Sequence, residues 1–166
     1  FADITSDNDL TISLDSIKKA FTPRTKAIIV MHYAGYACDM PAILAWAKEH
    51  NLPVIEDAAH AVGSYLDNKH LGTWGMAGCF SFFSNKNLST GEGGMIVTDD
   101  DVLAEKFSLL RSHGMTSLTW DRHEGHSWSY DVVALGYNYR IDEIHSAIGR
   151  EQLRKLDGNN ARRREI

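Results

Sequence analysis

Residues 53–60 read Pro-Val-Ile-Glu-Asp-Ala-Ala-His, a short β-branched run that ends in two carboxylates and then shrinks to small side chains. A run this brief, opened by proline, fits a strand over 53–56 (PVIE), with Asp57 just past its carboxyl end. Working outward, KAIIVMH at 26–32 is a second buried-strand candidate. Between the two, Asp39 can cap a helix that runs to about Asn51, with Pro41 in its first turn and Ile43, Leu44 and Ala47 on one face. Strand, helix, strand is the crossover unit of a parallel sheet. Further strands are expected at 78–83 (GCFSFF) and 94–98 (GMIVT), and a helix over Leu14 to Phe21, stopped by Thr22-Pro23. Asp99 or Asp100 caps a helix that carries Val102, Leu103, Phe107 and Leu110 and ends at Gly114. A last helix from about Ile141 keeps Ile144, Ala147 and Ile148 together. The expected class is α/β, with a mostly parallel sheet and helices on both faces.

The chain has 166 residues, 43% of them hydrophobic and 23% charged, enough to bury a core and unlike a disordered segment. No apolar run approaches bilayer length, so no membrane span is expected. A formal charge of -5 argues against nucleic-acid or anionic-membrane binding by bulk electrostatics. Cys38 and Cys79 lack CxxC spacing, which suits a reduced, cytoplasmic setting. The start at Phe1 without methionine, and the finish inside a helical pattern at Arg163-Arg164-Glu165-Ile166, suggest that 1–166 is a central piece of a longer protein. Thr116 to Tyr137 is polar and aromatic without a clean period, and reads as one long loop. Nothing in the composition marks a domain boundary.

In open α/β sheets ligands bind beyond the carboxyl ends of strands. Asp57 stands at one such end; Lys86 follows another, in Ser84-Asn85-Lys86-Asn87, before the turn Thr90-Gly91-Glu92-Gly93-Gly94. An acid and an amine on one sheet edge suit pyridoxal phosphate, which needs a lysine for its aldehyde and an acid beside its ring nitrogen. Ser81 and nearby backbone amides could donate to a phosphate. Each residue also has a plainer reading. A loop lysine is usually solvated, an aspartate after a strand commonly caps a helix (here one starting near Ala58), and a lone histidine such as His60 usually serves structure. The phosphate loops GxxxxGK[ST] and GxGxxG are absent. His113, His123 and His126, with Asp121 and Glu124, could be imagined as a metal site, but their loop spacing favours solvated side chains and no metal is expected. Trp120 and Trp128 suit either a substrate-facing or a partly buried role, and Arg162, Arg163 and Arg164 read as the exposed face of a helix.

Four strings in order, EDAAHAVGS (56–64), GCFSFFSNKN (78–87), GEGGMIVTDD (91–100) and LGYNYRIDEIHSAIGREQLRKLD (135–157), resemble the DegT/StrS-type sugar aminotransferase family of fold type I pyridoxal-phosphate enzymes. The resemblance implies that 1–166 is the central part of the cofactor-binding large domain, without the family's N-terminal part and C-terminal small domain. It implies that Lys86 holds the cofactor aldehyde and shuttles a proton, and that Asp57 pairs with the ring nitrogen. Ala59 would pack on one ring face, and His60 would lie near the phenolic oxygen. Ser81 would bind phosphate, and Asn138 the phosphate of a neighbouring subunit's cofactor in a homodimer, a place Arg140 could also take. The implied reaction is transamination of a nucleotide-linked keto-sugar with glutamate as amino donor, in polysaccharide or antibiotic-sugar biosynthesis. The alternatives are a non-catalytic regulatory or assembly module, a sugar dehydratase of the same family (against which Lys86 argues, since a histidine stands there in those enzymes) and a metal-dependent hydrolase using the 113–126 loop.

Overall fold

The computed structural model describes residues 1–116 and 129–166 and resolves into two compact units, Phe1–Asp99 with Glu143–Ile166, and Asp100–Asp142. The first opens on an antiparallel hairpin, β1 (Ile4–Ser6) with β2 (Asp9–Ile12), for which no strand was expected. Helix α1 (Leu14–Ala20) follows, its first turn capped by the Ser13 hydroxyl, which accepts from the Ser16 amide at 3.3 Å. Strand β3 (Ile28–Met31) leads through a short turn into α2 (Met40–Glu49), with Asp39 capping at the Ala42 amide (3.2 Å) and Pro41 in the first turn, as expected. Then come β4 (Val54–Asp57), a two-residue hairpin of β5 (Tyr65–Leu66) and β6 (Lys69–His70), β7 (Ala77–Ser81) and β8 (Gly94–Val97). Asp67 and Asn68 turn that small hairpin with φ of 48° and 61°, the left-handed pair that a two-residue hairpin needs.

The main sheet runs β3-β4-β7-β8, parallel across the first two pairings and antiparallel at the last. Its core lies where one face of β3 and β4 meets α2: Val30, Met40, Ile43, Ala47 and Val54 are buried together with Cys38. Strand β3 differs from the expected fully buried strand. Ile28 and Val30 point inward, while Ile29 on the opposite face is 65% exposed, so among the described residues that face of the strand is left open. Met95 and Ile96 on β8, the other outer strand, are exposed in the same way. Helix α4 (Glu143–Glu165) returns to this unit and buries Leu156 and Asn160; Arg162, Arg163 and Arg164 are exposed on it, as expected.

The second unit holds α3 (Asp101–Leu110), capped by Asp100, whose carboxylate accepts from the Val102 and Leu103 amides at 2.9 and 3.1 Å. The chain after α3 is less loop-like than its composition implies. Thr116 donates to the Asp131 carbonyl, Val133 to Gly114 and His113 to Tyr137, so residues 131–137 pair back onto 113–116. Residues 117–128, with Trp120, Asp121, His123, Glu124, His126 and Trp128, lie outside the described residues.

Candidate active site

Parallel pairing of β4 with β7 sets Glu56 opposite Gly78 and Asp57 opposite Cys79. Both strands therefore end on the same edge of the sheet, β4 at Asp57 and β7 at Ser81, and the loop that follows β7 carries Lys86. Neighbouring strands thus bring Asp57 and the loop that carries Lys86 to one edge, the place where open α/β sheets take ligands. The Lys86 loop is closed at its base by the bridge of Phe83 to Gly91. Buried Thr90 fastens it, donating its amide to the Phe82 carbonyl (2.9 Å) and its hydroxyl to the Glu92 carbonyl (2.6 Å). Gly91 at φ +87° makes a turn that a side chain would strain, which accounts for the glycines after the lysine. Lys86 itself is half-buried, and its amide closes a turn onto the Phe83 carbonyl at 3.0 Å.

Asp57 caps no helix: residues 58–64 are turns. Its Oδ1 accepts from the Ala59 amide at 3.0 Å, a turn closed by its own side chain, while the amide of fully buried Ala58 donates to the Cys79 carbonyl at 2.9 Å. Burial, with the neighbouring Asp57 carboxylate adding to it, pushes the Cys79 thiol above its ordinary value and keeps it protonated. His60 Nδ1 accepts from the Ala34 amide at 3.3 Å. That bond puts the proton of the neutral ring on Nε2. Ala34 presents the amide from a left-handed backbone at φ 53°, and the Tyr33 ring stands edge-on to the imidazole at 5.9 Å. Ser81 Oγ accepts from the Phe83 amide at 3.3 Å, which leaves its proton to give to a ligand.

The residue that the sequence reading passed over is Glu56. It is fully buried and accepts four bonds: Oε2 from His32 Nε2 (2.9 Å) and the Gly72 amide (2.7 Å), Oε1 from the Trp74 and Gly75 amides (both 2.6 Å). His32, also fully buried, accepts from the Cys38 amide at Nδ1 (3.3 Å), so Nε2 carries the proton that Glu56 receives. Burial alone would raise the Glu56 carboxyl; the bonds from His32 and the Gly75 and Gly72 amides outweigh it and hold the group below its ordinary 4.5. Glu56 thus ties β3 and the 72–75 turn to the strand that presents Asp57. A signal was available: in PVIE, Glu56 shares the inward face with Val54, where a lone charge demands partners.

Asn138 is exposed in the second unit and bridges to Ser112; Arg140 is exposed there too. Among the described residues no three His, Cys, Asp or Glu side chains could hold a metal ion, and His113 is an exposed turn residue at φ 61°.

A model of the DegT/DnrJ/EryC1/StrS aminotransferase family matches residues 1–166. The chain belongs to that family. It is similar to the spore coat polysaccharide biosynthesis protein SpsC of Bacillus subtilis, 46% identical over all of this chain and 43% of SpsC. It is also similar to the structure of Helicobacter pylori PseC, an aminotransferase involved in the biosynthesis of pseudoaminic acid, with TM-score 0.85 and 38% identity over 95% of this chain and 40% of that one. A structure of DesI with its TDP-sugar product matches at TM-score 0.80 and 33% identity, over 95% of this chain and 37% of DesI. The chain thus spans about two fifths of the relatives that it matches. The fold is the fold type I arrangement of these enzymes, and the family's cofactor is pyridoxal phosphate. The donor set on the sheet edge suits that group: an amine, a carboxylate, a small side chain and a hydroxyl.

Proposed function

We propose that the protein transfers an amino group, taken from glutamate, to a keto-sugar linked to a nucleotide, using pyridoxal phosphate, and that residues 1–166 lie within its cofactor-binding large domain. The observation that carries this reading is the parallel β4–β7 register, which sends Asp57 and the Lys86 loop to one edge. The DesI product is a TDP-sugar, which supports a nucleotide-linked substrate.

When bound, pyridoxal phosphate supplies an electron-withdrawing ring that stabilises negative charge on the substrate carbon. The chain's residues hold and tune it. Lys86 would hold the cofactor aldehyde through its Nζ and would carry a proton to and from the substrate carbon. The Asp57 carboxylate keeps a proton on the ring nitrogen, so the ring can accept electrons. Ala59 packs on one ring face, and His60 Nε2–H donates toward the phenolic oxygen. Ser81 Oγ donates to the phosphate, and Asn138 reaches the phosphate of the partner subunit's cofactor in a homodimer. Among the described residues no helix is long and apolar enough to cross a membrane.

The reading is tested by absorbance titration with pyridoxal phosphate, followed by glutamate. A visible band that appears with the cofactor, is absent in Lys86→Ala and bleaches on adding glutamate is the expected result. A protein that gives no lysine-dependent band is a non-catalytic module instead.

A further inference from the structure

Helix α4 is polar along most of its length and buries two side chains, Leu156 and Asn160, one turn apart on one face. Leu156 packs with Val62 and Leu88, one from the segment after Asp57 and one from the loop after Lys86. Asn160 touches the same two segments with polar atoms. Its Nδ2 donates to the Val62 carbonyl at 3.2 Å in a buried setting. Its Oδ1 accepts from Asn87 Nδ2 at 3.5 Å, beside Lys86, and from Arg163 at 3.2 Å. The approach is close because residue 63 is glycine: a Cβ there would stand 2.6 Å from Asn160 Nδ2. Gly63 also holds φ +75°, which a side chain would strain.

An amide in a buried position is unfavourable unless both its ends are bonded, and an aliphatic side chain would fill the space between Val62 and Leu88 without that penalty. Apolar packing is tolerant of small slips, whereas a carboxamide bonded at both ends fixes distance and direction. We propose that Asn160 is a positioning residue, which locks the segment after Asp57 and the loop of Lys86 to one helix and so fixes the two cofactor-holding groups relative to each other. The inference rests on the cofactor reading above for its purpose, but the clamp itself is tested without cofactor.

Asn160→Leu keeps the branched shape and removes both polar contacts. Hydrogen exchange on the cofactor-free protein is expected to quicken roughly fivefold in 58–64 and in 84–90 together, the change that one lost buried hydrogen bond brings. Asn87→Ala cuts the lysine-loop contact alone and quickens 84–90 but not 58–64. With pyridoxal phosphate added, the concentration giving half of the visible band rises roughly fivefold in Asn160→Leu. It stays at the wild-type value in Ile43→Val, a core change chosen for a similar loss of thermal stability away from the loops. Wild-type exchange in both segments of Asn160→Leu overturns the proposal, as does a half-band concentration that moves equally in Ile43→Val. If Asn160→Leu does not fold, Asn87→Ala decides: unchanged exchange in 84–90 overturns the clamp. A wild-type protein without any visible band refutes the cofactor reading and leaves the exchange test of the clamp standing.

Discussion

Replacing Glu56 by glutamine tests whether a buried carboxylate holds together the strand that presents Asp57. The glutamine has nearly the same shape but keeps one acceptor oxygen where the glutamate has two. If its NH2 takes the place of Oε1 it faces the Trp74 and Gly75 amides; if it takes the place of Oε2 it faces the Gly72 amide and His32 Nε2. His32 cannot relieve this by moving its proton, because its Nδ1 already receives the Cys38 amide. In either orientation two donors meet a donor. At roughly 1–3 kcal/mol for each unsatisfied buried group, the expected loss is about 3–5 kcal/mol. For a chain of this size that corresponds to a fall in Tm of roughly 6–20 °C, read by circular dichroism on matched wild type and variant. The pH dependence supplies an internal check. The folded carboxyl titrates below its ordinary 4.5, so its contribution is complete above that pH and fades as pH falls through the lower folded value. The gap between wild type and Glu56→Gln is therefore expected to narrow as pH falls below 4.5. A variant within about 1 kcal/mol of wild type at neutral pH would show that the four bonds to Glu56 do not hold this strand in place.

Asp57→Asn retains an oxygen to accept the Ala59 amide, so stability is expected within about 0.5 kcal/mol of wild type, while transamination falls roughly 100-fold or more; denaturant melts beside a coupled activity assay check both. Gly78→Ala places a methyl group against the Gly72 carbonyl in a turn already pinned by Glu56, and is expected to lose about 3 kcal/mol in urea unfolding. Gly158→Ala has the opposite sign: the position is exposed within α4 with open space around it, so a gain of about 1 kcal/mol is expected in the same assay.

The elements that the sequence revealed are those whose local signals agreed with their surroundings. Asp39 with Pro41, and Asp100 before an apolar stripe, marked helix starts that the structure keeps. The β-branched runs at 28–31 and 54–57 became adjacent parallel strands. The β1–β2 hairpin was passed over because its strands are only three and four residues long, too short for the alternation of Leu10 and Ile12 with Thr11 and Ser13 to stand out. Exposure of Ile29 and Ile96 was equally invisible, since hydrophobicity reports what a strand can bury and not what covers its faces. The division into two units left no mark because the join at Asp99–Asp100 is itself a helix cap. At the site, Asp57 and Lys86 were legible from their places after strands. The fastening of His60 by Ala34, and of both segments by Asn160, depends on contacts 26 and 98 residues apart, which no local pattern encodes.

In the function proposed above, one amine on this sheet edge, that of Lys86, meets the cofactor in preference to every other lysine. Mild borohydride reduction with pyridoxal phosphate present, followed by peptide mass spectrometry, locates the amine directly. A single major pyridoxyl adduct is expected on the peptide containing Lys86, strongly reduced in Asp57→Ala. Adducts scattered over the exposed lysines, with none preferred at Lys86, would contradict it.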